Sequence, residues 1–154
     1  MAERVAVPDH DRRWITGVLS KGPRRMRLAA EILLAYRHTR AAMRRATLDT
    51  VLANTRAGLP GKTLPRPNQR RAELAEARHL GHAVARTLSL VPGDTRCLVR
   101  SLVLTRLLSN RGMDSKLVIG TRTSPEFLAH AWVELAGQPL LSSGDGAFAR
   151  LVEL

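Results

Sequence analysis

Cys97 is the one cysteine in the chain. It follows Pro92-Gly93-Asp94-Thr95-Arg96, at the head of an apolar run that reaches Asn110. Pro92-Gly93 stops whatever precedes it, and Asp94 or Thr95 is placed to cap the helix that follows. Cys97 then falls in the first helical turn, where unpaired backbone N–H groups and the helix dipole favour an anion. A thiol in that setting ionises more readily and becomes a nucleophile. The same N–H groups could donate to the oxyanion formed when a thiolate attacks a carbonyl. Arg96 and Arg100 add positive charge. Further along, the strand-like stretch His130-Ala131-Trp132-Val133-Glu134-Leu135 opens on an imidazole, the usual base for such a thiol. Composition alone points the other way, because a free cysteine most often serves as a small buried hydrophobe. On the residues themselves both readings stand.

These two residues must be held by the elements that carry them. From Leu98 the helix presents Leu98, Leu102, Thr105 and Leu108 on one face, with Val103, Leu104 and Leu107 beside them. It is apolar around most of its circumference, which predicts a central, buried helix. After the Arg111-Gly112-Met113 turn, strands are expected over Ser115 to Arg122, Ala129 to Leu135 and Pro139 to Leu141, with a last one near Arg150 to Glu153. Upstream, residues 1 to 12 are polar, and Trp14, Ile15, Val18 and Leu19 have the spacing of a short amphipathic helix. A longer helix is predicted from Arg24 to Thr47, its apolar stripe built from Met26, Ala29, Ile32, Leu33, Tyr36 and Met43. Leu48, Val51 and Leu52 either continue it or begin a short helix. Asn54 to Asn68, with Gly58, Pro60, Gly61, Pro65 and Pro67, reads as a loop. A third helix follows from Gln69 to Leu88, with Leu74, Ala77, Leu80, Val84 and Leu88 on one side. The expected fold class is α+β: N-terminal helices over residues 1–90, then a core over 91–154 in which the Cys-bearing helix packs on a small antiparallel sheet. The two together make one compact domain.

The segment from Gly93 to Leu154 resembles the short leader peptidases of lasso-peptide biosynthesis, a branch of the transglutaminase-like, papain-related cysteine hydrolases. The resemblance is carried by Arg96-Cys97-Leu98 with Ser101-Leu102, by Arg111-Gly112-Met113, by Leu117-Val118-Ile119-Gly120, by His130-Ala131-Trp132-Val133-Glu134 and by Gly137-Gln138-Pro139-Leu140. It implies that Cys97 is the nucleophile and His130 its base. Family members commonly carry an Asp near the position of Ser142. The chain instead reads Leu141-Ser142-Ser143-Gly144-Asp145-Gly146, so Asp145 is the candidate for orienting His130, an ordinary turn aspartate being the rival reading. In that second case a backbone carbonyl or Ser142 orients the imidazole, and Glu134, on the same strand face as His130, is a further rival. Gln69 is a conceivable second oxyanion donor. The resemblance further implies a ribosomally made precursor peptide as substrate, cut between leader and core, and a separate ATP-dependent lasso cyclase that closes the freed amine onto an Asp or Glu. Split-type members lack their own recognition domain, and nothing at this N-terminus reads as a winged-helix module, so a separate leader-recognition protein is the expected partner.

A chain of 154 residues with 44% apolar content suits one domain with a real core. At 3% aromatic residues, that core must be mainly Leu, Val and Ala. A single cysteine excludes an intramolecular disulfide and argues against a Cys-based zinc site. His79 and His82 are spaced like a metal pair, but no third ligand accompanies them, and no metal or cofactor is expected. No apolar run is long enough to span a bilayer and no signal peptide opens the sequence, so the cytoplasm is the expected compartment. The formal charge of +12 is mostly arginine, much of it (Arg24, Arg25, Arg27, Arg37, Arg40, Arg44 and Arg45) on the first long helix. With no helix-turn-helix, zinc finger or stacking surface, a peptide- or partner-binding face is favoured over a nucleic-acid one. Three other functions remain open at this level: a non-catalytic peptide-binding or scaffold module, an Arg-rich nucleic-acid binder, and acyl transfer to an amine in place of water.

Overall fold

The computed structural model describes residues 22–57, 67–141 and 148–154. Helix α1 spans Pro23–Met43, α2 Leu48–Arg56, α3 Pro67–Leu88 and α4 Cys97–Ser109. Four strands follow: β1 Lys116–Arg122, β2 Leu128–Leu135, β3 Gln138–Pro139 and β4 Ala149–Glu153. The fold is α+β, as the sequence predicts.

Helix α4 is the hub. Nine of its side chains, from Val99 to Ser109, are buried on all sides, and it packs on α1, α2, α3, β1 and β2. A helix enclosed on every face must be apolar around its whole circumference, which is what Leu102, Val103, Leu104, Leu107 and Leu108 provide. It stops where Gly112 adopts φ +73°. The Gly112 N–H then donates to the Ser109 carbonyl at 2.9 Å and the Met113 N–H to the Leu108 carbonyl at 3.0 Å, satisfying carbonyls the helix end leaves open. Arg111 ties this end to the other helices. Its guanidinium holds both Glu31 oxygens at 2.8 and 2.9 Å, and Glu76 lies at 3.5 Å.

Helix α1 begins at Pro23, whose fixed φ suits a first helical position. Its buried line is Ile32, Ala35 and Thr39, narrower than the stripe read from the sequence. Met26 and Leu33 are exposed. Ala35 and Thr39 are small, so the buried seam of α1 holds one large side chain, Ile32, while bulkier residues such as Met26 and Leu33 lie outside it. The helix ends at Met43, short of the expected Thr47. A separate α2 starts after an extended Thr47 and buries Val51 and Leu52. Helix α3 buries Ala77, Leu80, Val84 and Leu88 as its periodicity predicts.

The sheet is antiparallel in the order β3-β2-β1-β4. Leu117 pairs with Val133 and Ile119 with Ala131, and these four residues turn toward the helices and join the main hydrophobic core. The alternate residues, with Val118 opposite Trp132 and Gly120 opposite His130, occupy the other face. One core cluster runs from Ile32 of α1 to Leu140 beyond β3. Among the described residues, no helix is long and apolar enough to cross a membrane.

Candidate active site

The loop between α3 and α4 sets the position of the thiol. Gly93 has φ +121°, a conformation that disfavours any side chain. A Cβ there would also sit 3.3 Å from the Tyr36 hydroxyl. The next carbonyl, that of Asp94, accepts hydrogen bonds from Tyr36 Oη at 3.3 Å and Arg40 at 3.2 Å, while the Arg40 guanidinium lies 5.9 Å from the Tyr36 ring centroid. Arg40 therefore belongs to the site loop and not to the basic outer face assigned to it from the sequence. The expected capping by Asp94 or Thr95 does not occur. The N-cap is Arg96, without a side-chain cap bond, because the Asp94 carboxylate is taken up by Arg96 itself: the Arg96 N–H donates at 3.2 Å and its guanidinium at 3.0 and 3.3 Å. The first-turn N–H groups are thus left uncapped by side chains. The Arg96 hydrogen bonds hold the Asp94 carboxyl below its ordinary value of 3.8. A depressed carboxyl contributes above its unfolded pKa and loses its effect only as pH falls through the folded one, so this clamp persists at every pH above that acid range.

Replacing Gly93 by alanine forces a Cβ into the left-handed region and against Tyr36. A loss of about 1–3 kcal/mol is expected, with slower alkylation of Cys97 as the loop shifts. Chemical denaturation and iodoacetamide labelling would measure both, and an unchanged midpoint would refute the assignment.

Cys97 is the first residue of α4, its thiol free and half-buried. His130 is the third residue of β2 and also half-buried. Both line a cleft of about 670 Å³, whose walls include Asp94, Arg96, Arg100 and Leu141. One buried bond fixes helix to strand here: the Ser101 hydroxyl donates to the Ala131 carbonyl at 3.0 Å. Ser101 lies one turn after Cys97 on the same helix face, and Ala131 directly follows His130, so this bond sets the distance between the two elements at the level of the cleft. Ser101→Ala leaves the Ala131 carbonyl without its side-chain donor. It should cost about 1–3 kcal/mol and lower activity beyond what the stability loss accounts for. Full activity at unchanged stability would show that the bond does not position the site.

Two aromatic rings pack against the His130 ring. Trp132 stacks at 6.1 Å between centroids with 18° between planes, and Phe148 lies at 5.4 Å, tilted by 37°, within the range of favourable ring pairs. Trp132 is itself anchored: its Nε1–H donates to Glu134 at 2.9 Å, and Arg150 donates to the same carboxylate oxygen at 2.8 Å. Opposite, Gly120 leaves the room the indole needs, since a Cβ there would come within 2.9 Å of the ring. Arg122 sits 5.6 Å from the centroid of Phe148. Phe148, Arg150 and Gly120 were not foreseen as parts of this site. The period-2 pattern His130-x-Trp132-x-Glu134 was the signal for the stack, because alternation puts the three on one face.

Two comparisons with known proteins bear on this geometry. A family model described as the Transglutaminase-like superfamily matches residues 11–153, nearly the whole chain. The chain belongs to the transglutaminase-like superfamily. In this superfamily member a second match is local: over 42 residues it is 52% identical to the microcin J25-processing protein McjB of Escherichia coli. That match spans 27% of this chain and 20% of McjB. No solved structure matches significantly.

The remaining residues singled out in the sequence fall as follows in this transglutaminase-like chain. Asp145 and Ser142 lie outside the described residues, as does the short helix read at Trp14 to Leu19. Glu134 shares the face of His130, but Trp132 stands between them and holds the carboxylate, so Glu134 does not orient the imidazole directly. Gln69 is at the wrong end of α3. It is exposed near the helix start, whereas the cleft is lined from that helix by Ala85, 16 residues and so about 24 Å further along. His79 and His82 are exposed, and no cluster of three metal-ligating side chains occurs among the described residues.

Proposed function

We propose that this transglutaminase-like protein is a cysteine peptidase that removes the leader from a ribosomally made lasso precursor peptide. The observation that supports the reading is a cleft lined both by the uncapped helix start bearing Cys97 and by His130 of β2. The likeness to a protein named for processing microcin J25, confined to a short stretch, supports the substrate class.

In this mechanism the Cys97 Sγ adds to the scissile carbonyl as His130 takes the thiol proton. The backbone N–H of Cys97, unoccupied by a side-chain cap, donates to the oxyanion. Collapse of the tetrahedral species breaks the C–N bond, and His130 returns the proton to the leaving amine. Water, deprotonated by His130, then releases the acyl group and restores the thiol. Asp145 is assigned the role of orienting His130. The N-terminal helical region (residues 1–90) serves partner or substrate binding, a separate recognition protein presents the leader, and a lasso cyclase takes up the core in the same compartment, the cytoplasm.

The test is mass spectrometry of a candidate precursor incubated with the protein and the recognition partner, with and without an added primary amine. Free leader ending in a carboxylate is the expected product. An intact precursor would sink the peptidase reading, and an amine adduct in place of the acid would make the protein an acyl transferase.

A further inference from the structure

Arg100 stands one turn after Cys97, on the side of α4 that faces the cleft. Its Nε is shut off from solvent and has no hydrogen-bond partner among the described residues. The neighbouring arginines are differently placed. Arg96 is matched by Asp94, Arg40 by the Asp94 carbonyl, Arg111 by Glu31 and Arg150 by Glu134. Among the described residues, Asp94 is the one carboxylate on the cleft wall, and Arg96 already occupies it. Among the described residues, the cleft therefore carries one guanidinium, that of Arg100, with no carboxylate paired to it. A partly desolvated cation with an unused donor is costly to leave alone, and an entering carboxylate relieves both deficits at once, since its two oxygens fit the guanidinium fork.

We propose that Arg100 is a carboxylate-binding subsite beside the thiol, receiving an acidic side chain of the substrate within a residue or two of the bond attacked. The identity of the substrate as a peptide rests on the peptidase reading above, whereas the anion site itself does not. The thiolate of Cys97 and a main-chain carbonyl are the competing acceptors, and the experiment separates them.

The first arm needs no substrate. Rates of Cys97 alkylation by iodoacetate, which carries a carboxylate, and by neutral iodoacetamide are compared at one pH. The iodoacetate-to-iodoacetamide rate ratio should fall by about tenfold in Arg100→Gln, the scale on which a local charge concentrates an anionic reagent. Arg100→Lys, which keeps the charge, should retain most of the ratio, and Arg106→Gln, on the same helix outside the cleft, should leave it unchanged. An unaltered ratio in Arg100→Gln overturns the subsite. So does an equal fall of both rates, which would make Arg100 a partner of the thiolate. The second arm compares precursor peptides with an acidic residue beside the scissile bond and their amide counterparts. The amide should raise KM about tenfold for the wild type, with little change in kcat, and have no effect on Arg100→Gln. An equal loss for acid and amide peptides assigns Arg100 to a main-chain carbonyl and also overturns the proposal. If no peptide is cut while the alkylation ratio behaves as expected, the subsite stands and the peptidase reading falls.

Discussion

Cys97→Ala is expected to abolish leader removal, lowering kcat by about four orders of magnitude or more, as for other nucleophiles that act as a unit with their base. His130→Ala should lower it by about 10²- to 10⁴-fold, the range ascribed to a positioned general base. The two losses should not add, because without the thiol the imidazole has no proton to take, and the double variant should be no worse than Cys97→Ala. Both side chains are only half-buried and neither belongs to the buried core, so the variants should fold normally. Initial rates under saturating precursor, followed by mass spectrometry, measure these effects. Hydrolysis that survives Cys97→Ala would leave the thiol as a packing residue of the α4 start and rule it out as the nucleophile, whereas no hydrolysis by the wild type would favour a non-catalytic binding module.

Trp132→Ala should be the most damaging single change to the sheet. The side chain is 4% exposed, and truncating a buried tryptophan costs about 3–5 kcal/mol, a large part of the roughly 5–15 kcal/mol that holds a domain together. It also removes the surface on which His130 stacks. Trp132→Phe separates the two effects. The ring remains beside His130, while the bond to Glu134 is lost at a cost of about 1 kcal/mol, Arg150 still satisfying the carboxylate. Urea denaturation should therefore show a large loss for alanine and a small one for phenylalanine, with kcat falling steeply only for alanine. Equal stability of Trp132→Ala and wild type would contradict the packing described.

What was legible in the sequence was what is local. The all-round apolar run after Cys97 reads as a buried helix, and the short runs Lys116-Gly120 and His130-Leu135 read as strands, the second of which is buried on both faces from Ala131 to Leu135. Both are as read. The end of α1 was missed because Arg44 to Thr47 holds no glycine or proline to mark it. Its stripe was misjudged because the seam is set by the small residues Ala35 and Thr39, while periodicity weighs large ones. The cap was misassigned because Asp94 has two possible donors, and the guanidinium two residues on competes with the helix amides. Phe148 and Arg150 reach the His130 face only through the pairing of β4 with β1, a long-range choice that no window of sequence displays. Cys97 and His130 could be singled out because Cys97 opens a helix whose start Pro92-Gly93 marks locally and His130 lies near the start of a strand.

The hold of Tyr36 and Arg40 on the Asp94 carbonyl reaches across 58 and 54 positions of sequence. Proteins open in cooperative pieces well before they unfold globally, and any opening that detaches α1 also releases the Asp94 carbonyl in the loop that leads into Cys97. The Gly93–Asp94 wall of the cleft is therefore tied to the docking of α1. A ligand that steadies or loosens the outer side of α1 changes the fraction of molecules with a formed cleft without touching it, a coupling carried by local unfolding alone.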